Sequence, residues 1–68
     1  MIGYAVRVVI NGLVHAAETV EGRFTVAIYN ASARDDYGTL ACENIFLIRG
    51  TTTTEAPVTC LACLARLS

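Results

Sequence analysis

Asn11 and Gly12 stand between two apolar, β-branched runs, and no other dipeptide in the chain constrains the fold as much. Both residues accept the positive φ of a type I′ turn, so a two-residue hairpin loop is expected there. The run before it, Tyr4-Ala5-Val6-Arg7-Val8-Val9-Ile10, alternates as a half-buried strand does. The run after it, Leu13-Val14-His15-Ala16-Ala17, is the return strand. So short a loop also sets the register, with Ile10 opposite Leu13, Val9 opposite Val14 and Val8 opposite His15. Side chains alternate between faces. The sole histidine, His15, therefore shares a face with Tyr4, Val6, Val8, Ile10 and Leu13, the more apolar of the two.

The remainder reads as further strands and one helix. Residues 23–29 alternate, which places Phe24, Val26 and Ile28 inward and Thr25, Ala27 and Tyr29 outward. Residues 30–38 are polar and read as a loop. Two short strands follow at 39–42 and 45–48; Gly50 and the threonine run 51–54 end the second and serve as a linker. Residues 58–67 are the one helical candidate, with Thr59 as its cap and Arg66 suited to the negative end of its dipole. Leu61, Leu64 and Leu67 recur at a spacing that predicts a core-facing stripe. The expected fold is a single α+β domain over residues 1–68. An N-terminal β-hairpin and two or three further strands form a small antiparallel sheet, with one C-terminal helix.

A chain of 68 residues buries only about 60% of the surface its unfolded form exposes. Domains of this size often need a staple, whether disulfide, metal or partner. Cysteine count bears on which. Three cysteines would leave one over from a disulfide, whereas three thiolates and one imidazole complete a zinc shell. That arithmetic favours a reducing, cytoplasmic setting. Cys60-Leu61-Ala62-Cys63 is the sharpest motif, since two intervening residues let one turn aim both sulfurs at a tetrahedral ion. Cys42 lies eighteen residues upstream, a separation found between the halves of many zinc sites. With His15 the set is complete: His15, Cys42, Cys60 and Cys63 around one Zn2+.

Each ligand has a plainer reading. Cys42 suits a small buried hydrophobe, His15 a core histidine bonded to a carbonyl, and the CxxC pair a helix stripe. Glu43 or Asp36 can replace His15 as an oxygen ligand, although three sulfurs favour a softer fourth partner. Three thiolates and a neutral imidazole leave a net charge of −1 around Zn2+. Backbone N–H groups at the start of the tail helix are expected to offset it, helped by Arg49 or Arg66. Four protein ligands leave no position for a reactive water, and no nucleophile–base pair or phosphate loop stands out, so no enzyme activity is expected.

Composition narrows the partners. The net charge is −1 and there is no lysine, so the basic patch that neutralises phosphates is missing and a nucleic-acid partner is not expected. No apolar run reaches the length that spans a bilayer. The first seventeen residues carry Arg7 in their middle rather than charge at their start, so they read as mature structure. With 54% hydrophobic and 16% charged residues, little polar side chain remains to cover the surface, and self-association or a protein partner is the forecast.

Val14-His15, Cys42 and Val58-Thr59-Cys60-Leu61-Ala62-Cys63-Leu64 together resemble a loose family of small Cys3His proteins from actinobacteria and their phages. The resemblance implies zinc held by His15, Cys42, Cys60 and Cys63, and a phage or phage-derived origin. It covers the ligand segments only. The family often has glycine after the single cysteine, where this chain has Glu43, and charged residues within the CxxC, where this chain has Leu61-Ala62. The latter predicts a buried surface at that point. The expected function is a non-enzymatic protein-interaction module, in its most specific form a phage accessory protein targeting a host component. The alternatives are a zinc-finger-type nucleic-acid binder and a CxxC redox dithiol.

Overall fold

The hairpin forms as its turn dictates. In the computed structural model, which describes Met1–Ser68, β1 (Ile2–Ile10) and β2 (Leu13–Val20) pair antiparallel. Ile10 faces Leu13, Val9 faces Val14 and Val8 faces His15. Asn11 and Gly12 adopt φ of 51° and 78°, the left-handed values a type I′ turn needs. A bulge between Gly3 and Val6 interrupts the far end of the ladder, and there Tyr4 is exposed.

Five shorter strands and a helix follow: β3 (Arg23–Phe24), β4 (Val26–Asn30), β5 (Asp35–Thr39), β6 (Ile45–Leu47), β7 (Thr52–Thr54) and α1 (Leu61–Leu67). The fold is α+β, as expected, but its strands divide between two sheets, β3-β2-β1-β7 and β4-β5-β6. All pairings are antiparallel. Between the sheets lies a small core of Val8, Ala16, Ala17, Leu40, Ala41, Phe46, Cys60 and Cys63. Phe24 of the first sheet meets Phe46 of the second edge-on, with ring centroids 5.3 Å apart. Gly38 leaves room for that ring: a Cβ there would lie 2.7 Å from Phe46.

Several expectations fail for identifiable reasons. The strand foreseen over 23–29 breaks at Thr25, whose N–H donates to the Glu18 carbonyl at 3.2 Å. Phe24 stays with the first sheet and packs on the core, while β4 crosses to the edge of the second. Val26 and Ile28 are exposed rather than inward; alternation names a strand's two faces without saying that either is covered. Residues 30–38 are not a loop throughout. Asn30 Oδ1 accepts from the Ser32 and Ala33 N–H groups, which closes a tight turn and lets Asp35 begin β5. The strand foreseen over 39–42 is reduced to Thr39 and a single bridge between Leu40 and Ala17. Threonines 52–54 form β7 against β1, consistent with the β-branched preference for strands.

The tail helix starts three residues later than foreseen, with Cys60 as its N-cap. Cys63 is its only buried residue. Leu61, Leu64 and Leu67 face solvent, Leu61 being 80% exposed, so the leucine stripe is not core. A helix of seven residues turns one side to the fold, and here the side it turns carries Cys63. Leu61 and Ala62 are likewise exposed, contrary to the buried surface expected inside the CxxC. No helix is long and apolar enough to cross a membrane.

Candidate metal centre

Strand β2 carries the centre, because its second edge is shared among several short segments. β3 pairs with the far end at Thr19 and Val20. Next to it, the Ala41 N–H donates to the Ala16 carbonyl at 2.8 Å, beside the Ala17–Leu40 bridge. At the near end Val14 is gripped by the tail: its N–H donates to Thr59 Oγ1 at 2.9 Å, and its carbonyl accepts from the Thr59 and Cys60 N–H groups at 3.0 Å each. Cys42 follows directly from the first of these dockings and Cys60 from the second. His15 sits between them in sequence position, one residue from Val14 and one from Ala16.

The four side chains therefore converge. A ring nitrogen of His15 and the sulfurs of Cys42, Cys60 and Cys63 all lie within 4.8 Å of one another, close enough to hold a metal ion. Cys63 Sγ is 3.6 Å from His15 Nδ1 and Cys42 Sγ is 3.9 Å from it. Ligands at bond lengths of roughly 2.0–2.3 Å in a tetrahedron stand about 3.5–3.8 Å apart. The spacing fits. His15, Cys60 and Cys63 are buried, Cys42 half-buried, and all three cysteines are free thiols. All four residues singled out in the sequence are thus brought together. Glu43 and Asp36 do not join them; the Glu43 carboxylate instead accepts from Arg66 at 2.7 Å. Arg49 is likewise elsewhere, 3.8 Å from Asp35.

Backbone dipoles and burial pull the thiols in opposite directions. At Cys60 the N–H groups opening α1, that of Cys63 foremost, favour the thiolate and lower the pKa. At Cys63 burial dominates and pushes the thiol up to about 11, against a favourable backbone contact from Ala16. A cation among these sulfurs inverts that cost, since a coordinating thiol is deprotonated outright. The donor set, three sulfurs and one imidazole nitrogen, suits zinc among the common divalent ions.

The roles of three residues escaped the sequence reading. Thr59 does not cap the helix; its hydroxyl clamps Val14, a partner 45 residues away that no local pattern reveals. Asn44 Nδ2 donates to Cys42 Sγ at 3.5 Å. Glu43 has φ of 72°, the left-handed conformation that glycine adopts without strain. Its N–H donates to the Leu40 carbonyl at 2.9 Å, and Leu40 N–H to the Asn44 carbonyl at 2.8 Å. These bonds close a knuckle that aims Cys42. A glycine after the cysteine would have signalled that turn; glutamate hides it.

Compared with protein-family models, with curated proteins and with solved structures, the chain matches none.

Proposed function

We propose that this chain is a non-enzymatic domain fastened by one structural zinc ion on His15, Cys42, Cys60 and Cys63, and that it works by docking on another protein. The convergence of four soft donors from three segments distant in sequence carries the reading. All four tetrahedral positions are supplied by the protein, which leaves none for water and suits a structural rather than a hydrolytic ion. Apparent zinc affinities of about 10–16 kcal/mol at such sites exceed the roughly 3–10 kcal/mol of stability typical for this length. Folding and metal binding are then one event. The exposed leucines of α1 beside the site supply apolar surface for a partner. The residues that resemble the actinobacterial and phage Cys3His proteins are the ones that build the site, and a phage-derived origin belongs to the same proposal.

A redox dithiol is the second reading, favoured by Cys60 at the N-cap of α1 with Cys63 behind it. Against it, Cys42 and His15 complete a ligand shell that a dithiol does not need. Native mass spectrometry of freshly purified protein separates the two: one zinc per chain with no disulfide supports the structural ion. Cobalt loading should give a tetrahedral, thiolate-rich absorption spectrum, altered in His15→Ala and weakened in Cys42→Ser. A chain that stays cooperatively folded after exhaustive chelation would overturn the proposal.

A further inference from the structure

The fold has one cavity, of about 390 Å3, between the end of β1 and strand β6. That is toward the small end of the range for ligand sites. Ile45, Phe46 and Leu47 all line it. Neighbouring side chains of a strand point to opposite faces, so a cavity that touches three in a row runs along the strand's edge. β5 covers one edge of β6, and the cavity follows the free one. Val9 and Ile10 of β1, with the ring of Phe46, give it an apolar wall.

The register shows which backbone groups that edge presents. The Leu40 N–H donates to the Asn44 carbonyl and the Ile48 N–H to the Asp36 carbonyl, and Phe46 stands opposite Gly38. Bonded and non-bonded pairs alternate along an antiparallel ladder. Phe46 therefore turns its N–H and carbonyl toward β5, while Ile45 and Leu47 turn theirs to the free edge. The Leu47 carbonyl accepts from Thr51 Oγ1. The Ile45 carbonyl and the Leu47 N–H have no partner in the chain. Arg49 lines the cavity just beyond Leu47. Its side chain is 77% exposed, and its ion partner Asp35 stands 3.8 Å away, too far for a hydrogen bond.

We propose that this cavity takes the carboxyl terminus of another protein, as a short extended segment with an apolar last residue laid parallel to β6. The penultimate residue then lies opposite Phe46. Its N–H donates to the Ile45 carbonyl and its carbonyl accepts from the Leu47 N–H, the two groups that β6 leaves open. The last side chain rests on the apolar wall, and the terminal carboxylate meets the Arg49 guanidinium. The same residues select a chain end of this polarity. A passing strand finds no further acceptor on β6, because Thr51 already occupies the Leu47 carbonyl. An antiparallel segment ending there would set its amino terminus against Arg49, like charge against like. No residue lining the cavity is a candidate metal ligand, so the proposal stands or falls apart from the zinc reading.

Fluorescence polarisation with the zinc-loaded protein tests it. The probe is a fluorescein-labelled hexapeptide of alternating threonine and valine closed by a leucine with a free carboxylate, compared with the same peptide ending in an amide. The free acid should bind saturably, and about tenfold or more tighter than the amide. Arg49→Gln should lose that preference with zinc content and circular dichroism unchanged, whereas Asp35→Asn, which removes a competing carboxylate, should tighten binding. In heteronuclear NMR spectra the Leu47 amide should shift on binding and exchange more slowly. If a variant fails to fold, the acid and amide peptides on the unaltered protein decide the matter. Equal binding of the two overturns the proposal, as does the absence of saturable binding or a set of shifts confined to α1. N-acetyl-leucine binding as tightly as the hexapeptide marks a site for small carboxylates without strand pairing, and likewise overturns it.

Discussion

Replacing Thr59 by valine tests how the tail is held against the sheet. The exchange preserves shape but removes the hydroxyl that accepts from the Val14 N–H at 2.9 Å. Val14 is buried, and its N–H faces the tail rather than β1, although Thr59 itself is exposed and the bond only partly buried. An N–H left unpaired in such a place costs about 1–3 kcal/mol, and the partly buried setting puts this one toward the lower half. A loss of about 1–2 kcal/mol is a factor of roughly 5–30 in an equilibrium. Where folding and metal binding are coupled, the loss appears in apparent zinc affinity. Competition against a chromophoric chelator reads it directly, and thermal unfolding of the loaded protein reads it again. Thr59→Ser keeps the acceptor and should bind as the unaltered chain does. Thr53→Val, on exposed β7, is the control and should change stability by no more than about 0.5 kcal/mol. If Thr59→Val binds zinc as tightly as Thr53→Val, the clamp on Val14 does not position the CxxC and the account of the site's assembly is wrong.

Other perturbations probe the same framework. Zinc affinity should fall as pH falls from about 8 to about 6, because the sulfurs must shed protons to bind. The Cys63 thiol, raised to about 11 by burial, holds its proton through that whole window. Proton release on zinc uptake, from calorimetry in two buffers, checks this, and a pH-independent affinity contradicts it. In any metal-free population that stays folded the sign is opposite. A thiol raised from 9.0 to about 11 stabilises the fold below pH 9 and loses that contribution as pH climbs to 11. Glu43→Gly should stabilise by about 1 kcal/mol, since relief of the left-handed φ outweighs an exposed Arg66 ion pair; a lower melting temperature would contradict the strain. Gly38→Ala should destabilise by about 1–3 kcal/mol by driving a methyl group into the Phe46 ring, measured by denaturant unfolding.

The parts of this protein written in local chemistry were legible without coordinates. Asn11-Gly12 permits few alternatives to a two-residue hairpin, and once the turn is set the pleat fixes which residue faces which, so the placement of His15 opposite Val8 followed from sequence. The gathering of His15, Cys42, Cys60 and Cys63 was legible for a similar reason: few soft donors were available, and CxxC spacing is itself a local geometry. What stayed hidden depends on partners far away along the chain. Whether Val26 and Ile28 are covered depends on which sheet β4 joins, and that choice is made by a break at Thr25 with no signature of its own. Threonines 51–54 look like a linker until β1 offers an edge to pair with. Thr59 has the chemistry of a helix cap, yet its hydroxyl accepts from the N–H of Val14. Only the tertiary structure decided that the edge of β2 would be divided among three segments, and that division brings the knuckle of Cys42 and the turn of Cys60 to the same histidine.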